Sequence, residues 1–202
     1  MQPAILLLAA GPSSRMGQSK QLLEINGEPI LVRTVKAAMA ASNPVCVVLG
    51  SQYEKHKLAL DRFSVMRIEN KQWKKGMGSS LKLGLEFLIR SNPEIDSVIV
   101  LVCDQPELSA TYLQELIARA GKTEKSIITS SYNGVVGVPV LFKKQQFEML
   151  RNLDDAAGAG KIIRQQSELI EIVNFPGGHI DLDTPEEYAA YLAESGRSQR
   201  TE

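Results

Sequence analysis

The sequence predicts an α/β fold, a mostly parallel central sheet with helices on both faces, and three observations carry that reading. The apolar runs near 4–9, 45–49 and 97–102 are continuous rather than alternating, which is the pattern of strands buried on both sides. Segments of helical length separate them, so strand and helix take turns up to about residue 130. A chain of 202 residues with no repeat, low-complexity tract or Pro/Gly-rich linker also fits one domain. That domain is expected over 1–196, with 197–202 a disordered tail.

Taken in order, Ala4–Ala9 is the first strand and gives way to a loop at Gly11. Residues 22–25 then run into Asn26-Gly27-Glu28-Pro29, a turn signal, and a helix follows from about Pro29 to Ala41 with its proline in the first turn, where a missing N–H costs little. Val45–Leu49 is a short buried strand, Gln52–Leu60 a polar helix and Val65–Ile68 a third strand. Small residues in Asn70–Leu85 open a helix whose Leu81, Leu85, Leu88 and Ile89 form one apolar stripe. The β-branched run Ser97–Val102 stops at Cys103-Asp104-Gln105-Pro106, and Ser109 caps a helix to about Ala120.

Further on, Ser126–Ser131 reads as a strand and Tyr132–Gly137 as a turn. Val138–Phe142 is extended, and Pro139 argues for a sheet edge or a bulge because proline cannot donate to a ladder. Lys144–Leu150 and Lys161–Gln166 read as short helices around the loop 154–160, and Leu169–Asn174 as the last strand. Thr184-Pro185-Glu186-Glu187 is a capping box that opens a final helix to about Ser195.

Lys plus Arg and Asp plus Glu number 23 each, and no block of five cations occurs. A nucleic-acid or membrane surface bound through bulk charge is therefore not expected. Cys46 and Cys103 sit in apolar runs and read as reduced, structural thiols. No basic stretch precedes the first apolar run, which breaks at Gly11-Pro12, so neither a signal peptide nor a membrane span is expected and the cytoplasm is the expected compartment.

The chemistry centres on Leu7–Lys20, LLAAGPSSRMGQSK. A buried strand that delivers a loop bounded by Gly11 and Gly17, with Arg15 inside it and Lys20 just beyond, brings backbone N–H groups and positive charge to one point, as a polyphosphate requires. The spacing excludes two better-known phosphate loops. A Walker loop needs four residues between its glycines and Lys directly after the second, whereas five separate Gly11 from Gly17. A dinucleotide fingerprint needs glycine where Ser13 stands.

Open α/β sheets bind ligands at the carboxyl ends of their strands, at a switch in strand order, and both this loop and Asp104 can occupy that edge. A triphosphate that reacts at its α-phosphate needs Mg²⁺, oxygen ligands to hold it and cations for the departing pyrophosphate. Asp104 is the first candidate ligand, although an aspartate at a strand end also suits a helix cap. Of Asp181 and Asp183 one is expected to reach the metal; Asp183 is preferred because it adjoins the fixed start of the last helix, with Asp181 as the alternative. His56 and His179, the two histidines, stand in no recognisable arrangement with a Ser or Cys nucleophile. A phosphate monoester acceptor is largely ionised at neutral pH and needs no base, which leaves positioning and charge stabilisation to the protein.

The segments LAAGPSSRMGQSKQLLEINGEPIL, Asn70 with GMGSSLKLGL, VCDQP, VGVPVLF and DLDTPEEY resemble, in the same order, those of the molybdenum cofactor cytidylyltransferases, and more distantly those of sugar-phosphate nucleotidyltransferases. The resemblance implies a Rossmann-like nucleotidyltransferase fold and a Mg²⁺-dependent transfer of CMP from CTP to molybdopterin bearing molybdenum. Pyrophosphate would be released and the product passed to a molybdenum hydroxylase. Residue by residue, it implies that Ala9, Ala10, Gly11, Ser13, Arg15, Gly17 and Lys20 surround the nucleotide, with Arg15, Lys20 and Asp104 catalytic. Asn70, Gly78, Ser79 and Ser80 would form the base and ribose pocket, and Asp104 with Asp183 would hold Mg²⁺. Alanine at position 10, where the guanylyl-transferring branch has glycine, resembles the CTP-using branch. Two departures concern the acceptor side: 154–161 is one residue longer than the family's G-D-x-G-A pattern, and Cys103 stands where a small residue is usual. A GTP-dependent guanylyltransferase, a sugar-phosphate nucleotidyltransferase and a non-catalytic nucleotide or cofactor carrier are the alternatives; a carrier would not need Arg15, Lys20, Asp104 and Asp183 together.

Overall fold

Every residue of the first strand, β1 (Ala4–Ala9), is buried, as a strand covered on both faces must be. The structure, a computed structural model, describes residues 2–198 and sets β1 inside a seven-stranded sheet, third from one edge. A two-stranded hairpin follows, β2 (Glu24–Ile25) and β3 (Glu28–Pro29), turned at Asn26-Gly27 with both φ values positive. Then come α1 (Ile30–Ala41), β4 (Val45–Leu49), α2 (Tyr53–Ala59), β5 (Met66–Glu69), α3 (Met77–Ser91), β6 (Ser97–Val102) and α4 (Ala110–Ala120). The chain continues through β7 (Ile127–Tyr132), β8 (Val135–Lys143), α5 (Phe147–Arg151), α6 (Ala159–Gln165), β9 (Ile170–Asn174) and α7 (Pro185–Ser198).

The sheet order is β5-β4-β1-β6-β8-β7-β9, parallel throughout except for β8. Alternation along β1 divides the core into two layers. Ile5, Leu7 and Ala9 pack with Leu31 and Val35 of α1 and Leu113 and Leu116 of α4, whereas Ala4, Leu6 and Leu8 pack with Leu81, Leu85 and Leu88 of α3 and with residues of α5 and α6. Gly84 is what lets α3 lie flat on the sheet, since a Cβ there would come within 2.3 Å of Leu6 Cδ1. No described helix is long and apolar enough to cross a membrane.

The expected sheet edge at Pro139 is corrected by the structure: β8 lies inside the sheet, between β6 and β7. The other expectation for this proline, a bulge, holds. Pairing jumps from Thr129↔Val140 to Ser130↔Gly137, so Val138 and Pro139 stand out of the ladder. Side chains take over the freed carbonyls: Thr129 Oγ1 donates to Gly137 O (2.8 Å), Gln105 Nε2 to Val138 O (3.1 Å) and Ser130 Oγ to Pro139 O (2.5 Å). The expected turn over Tyr132–Gly137 shrinks to Asn133-Gly134, both at positive φ, because β8 already begins at Val135.

The capping box of α7 forms as the sequence requires. Glu187 N donates to Thr184 Oγ1 (3.2 Å) and Thr184 N to Glu187 Oε2 (2.9 Å). Of the expected tail, Arg197 and Ser198 continue this helix, and 199–202 lie outside the described residues.

Candidate active site

β1 and β6 pair in parallel with Leu8 opposite Val102, so the loop after β1 and the segment Cys103-Asp104 leave the sheet side by side at its carboxyl edge. The strand order also switches here, since β1 is flanked by β4 on one side and β6 on the other. The loop 10–20 folds around two anchors. Met16 is buried in the core, and Gln21, 2% exposed, donates through Nε2 to Gly11 O (3.1 Å) while Ser13 and Ser19 donate to its Oε1 (2.9 Å each). Ser13 and Gly17 adopt positive φ (53° and 70°), which bends the loop back on itself. Among the described residues, the amides of Ser13, Ser14, Arg15, Gly17 and Gln18 find no acceptor within the protein. They are the free donors that an anionic ligand needs.

Charge converges on the same edge. Lys20 Nζ lies 2.7 Å from Asp104 Oδ2 and 2.8 Å from Asp183 Oδ1, and Arg15 reaches Asp183 Oδ2 at 2.5 Å. Desolvation works against the Lys20 ammonium, but attraction to Asp104 and the hydrogen bonds to Asp104 and Asp183 outweigh it and raise its pKa. The hydrogen bond from Lys20 holds the Asp183 carboxyl below the usual range. Asp181 lies at the rim, its residue exposed; partial desolvation, then repulsion from Asp104 and Asp183, push its carboxyl up to about 6. The segment that carries Asp183 is stitched to Asp104 through the backbone, with Leu182 N donating to Asp104 O (3.3 Å), while Gln105 Nε2 donates to Gly178 O (3.0 Å).

The remaining expected residues divide between a pocket and its support. A pocket of about 220 Å³ is lined by Leu8, Ala10, Gly11, Trp73, Met77 and Ser80, among others. Asn70 stands behind it, 4% exposed, and donates to Ser79 Oγ and Ser80 Oγ (2.9 Å each) while accepting from Gln72 N (2.9 Å). Ser79 is turned inward and donates to Gly76 O (2.8 Å). Gly78 faces the loop 154–157, where a Cβ would meet Asp154 O at 2.1 Å. Ala9 is core. Thus Ala10, Gly11 and Ser80 line the pocket, Arg15, Lys20, Asp104 and Asp183 meet in one charged cluster, and Asn70, Gly78 and Ser79 brace the start of α3.

Sequence reasoning missed Gln21 and His56. Gln21 sits between the polar loop and Leu22-Leu23, with no pattern that singles it out; His56 Nε2 lies 2.6 Å from Ser19 Oγ, and nothing in a polar helix announced that contact. Burial, with the charge of Lys55 added, lowers the His56 pKa to about 4, so the imidazole is neutral. Burial pushes the Cys46 and Cys103 thiols up to about 12, and both are free and buried.

The arrangement matches known proteins in sequence and in shape. The chain is 29% identical over 198 residues to the "Purine catabolism protein PucB" of Bacillus subtilis, covering 91% of this chain and 92% of that protein. It is 35% identical over 117 residues, 56% of each chain, to a "Probable molybdenum cofactor guanylyltransferase" of Synechococcus elongatus. In shape it is similar to Rv0371c of Mycobacterium tuberculosis, with a TM-score of 0.82 at 24% identity over 96% of this chain and 98% of that one. Residues 5–169, from the first buried strand to the start of the last, match the family described as the MobA-like NTP transferase domain. A strand-end loop of free amides facing paired carboxylates and cations is what nucleotidyl transfer requires, and the chain belongs to the MobA-like NTP transferase family, as a nucleotidyltransferase.

Proposed function

We propose that the protein transfers CMP from CTP to a molybdopterin-type molybdenum cofactor, releasing pyrophosphate, with Mg²⁺ as the metal and the cytoplasm as its place of action. The single observation that carries the transfer chemistry is the meeting of Arg15, Lys20, Asp104 and Asp183 beside the free amides of the loop. In this reading Arg15 and Lys20 leave their carboxylate partners for the triphosphate and balance the charge that grows on the departing pyrophosphate. The loop amides orient the phosphates, and the pocket beside Ala10 and Ser80 seats the base and ribose.

Two carboxylates delivered by separate segments and close enough to share one ammonium suit a hard divalent cation that completes its shell with water and phosphate oxygens. Among the described residues no cluster of three or more metal-ligating side chains forms, so the protein would supply part of that shell only. Asp104 and Asp183 would hold Mg²⁺, which when bound neutralises phosphate charge and polarises the α-phosphoryl group. The acceptor phosphate is already ionised near neutral pH, which agrees with a site whose buried histidine is kept neutral and stands behind the loop.

CTP as donor is supported by the resemblance of the Ala9-Ala10 step and of the Asn70–Ser80 segment to the cytidylyl-transferring branch. The Synechococcus elongatus relative, described as a probable guanylyltransferase, favours GTP as a second reading. A pocket with matched hydrogen bonds rejects the wrong base by several kcal/mol, because mismatched buried groups are left unpaired. Comparing kcat/KM for CTP and GTP with the same molybdopterin acceptor decides between them: a preference for CTP is expected, and a preference for GTP would overturn the donor assignment. The product would pass to a molybdenum hydroxylase.

A further inference from the structure

The polar groups behind the phosphate loop fix the place of each of their protons. Gln21 points Nε2 at two backbone carbonyls, Gly11 O (3.1 Å) and Ala9 O (3.5 Å), which can only accept. Its Oε1 therefore faces the hydroxyls of Ser13 and Ser19, and both must donate. Ser19 has one proton, and Gln21 takes it. The 2.6 Å contact between Ser19 Oγ and His56 Nε2 then needs its proton from the imidazole, so His56 is the neutral tautomer protonated at Nε2. At the other end, Ser13 Oγ accepts from the backbone N–H of Lys20 (3.0 Å).

A continuous line of hydrogen bonds thus ties α2, through His56, Ser19, Gln21 and Ser13, to the backbone of Lys20. Gln21 and His56 are both buried, and His56 Nδ1 has no partner. A leucine at 56 would fill the space and remove the unpartnered Nδ1, so packing alone does not account for a histidine there. What the imidazole supplies is one directed donor to the loop.

We infer that Gln21 and His56 are positioning residues for nucleotidyl transfer. Without touching the nucleotide, they hold residues 11–20 in the shape that turns the free amides outward and sets Lys20 beside Asp104. This rests on reading the loop as the triphosphate site. The test compares wild type, His56→Leu and His56→Gln by hydrogen exchange of the bonded loop amides of Met16 and Lys20, which donate to Ser13 O and Ser13 Oγ, and by steady-state kinetics with CTP; glutamine places an amide donor where Nε2 stands. His56→Leu should melt no lower than wild type, yet its loop amides should exchange roughly three- to tenfold faster, the equivalent of one net hydrogen bond. KM for the nucleotide should rise by a similar factor with kcat changed less, and His56→Gln should restore both. Should His56→Leu fail to fold, Ser19→Ala cuts the same line outside the core and should show the same two changes. Exchange and KM unchanged from wild type in the folded variant would overturn the inference. Failure of wild type itself to bind any nucleoside triphosphate would instead overturn the reading of the loop, and the inference with it.

Discussion

Lys20 Nζ lies 2.7 Å from Asp104 Oδ2, joining residues 84 positions apart at the carboxyl edge of the sheet. The same ammonium reaches Asp183, so one cation separates two carboxylates that would otherwise repel. Lys20→Ala should therefore do two things. Turnover should fall roughly 10²- to 10³-fold, the range for loss of one preorganised charge-stabilising group. The melting temperature should drop slightly without divalent cation and recover when Mg²⁺ is added, because a ligand that binds the folded state stabilises it. Steady-state kinetics and thermal unfolding with and without Mg²⁺ check both; unchanged turnover would reduce Lys20 to a charge-balancing role.

Gly78 and Ser80 lie two residues apart and should fail differently. A Cβ on Gly78 meets Asp154 O at 2.1 Å and Ala157 O at 2.7 Å, both backbone atoms that cannot rotate away. Gly78→Ala should cost about 1–3 kcal/mol, as overpacking does, and loosen the loop 154–158. Ser80→Ala removes a hydroxyl at the pocket wall and one acceptor of Asn70, so it should raise KM for the nucleotide with a smaller loss of stability. Urea unfolding alongside kinetics separates the two effects.

Much of this was readable from the sequence, and the reasons are local. β1, β4 and β6 are runs whose every position is apolar or small, the turn at Asn26-Gly27 needs positive φ at both residues, and the box at Thr184–Glu187 is written in four consecutive residues. Two features were not legible. Pro139 points to an edge or a bulge because its missing N–H is costly inside a ladder, and what decides for the bulge is that Thr129 and Ser130 of the paired strand and Gln105, more remote in sequence, cap its carbonyls. His56 was hidden for the same reason: its partner Ser19 is 37 residues away, and a buried polar contact between loop and helix leaves no periodicity to detect.

His56 also predicts a pH dependence. Its folded pKa, about 4, lies below the ordinary value of 6.5, so the unfolded chain binds this proton more readily. The stability it contributes is complete above pH 6.5 and is lost as pH falls toward 4. Wild type should lose about 2 kcal/mol through this residue between pH 7 and 4.5. His56→Leu should lack that increment, and urea titrations of both proteins at the two pH values measure it. Equal losses would place the His56 pKa near its ordinary value.

The central claim is that Asp104 serves the reaction rather than the fold, and pyrophosphate release by Asp104→Asn across a Mg²⁺ titration tests it most directly. Asparagine keeps the size of the side chain and leaves intact the backbone bond from Leu182 N to Asp104 O, but it removes the charge that a hard cation and Lys20 both use. With CTP and molybdopterin, the variant should unfold at or near the wild-type temperature while losing at least about a hundredfold in turnover, roughly 3 kcal/mol of transition-state stabilisation. Near-wild-type turnover at saturating Mg²⁺ would contradict the account and leave Asp104 as a structural partner of Lys20.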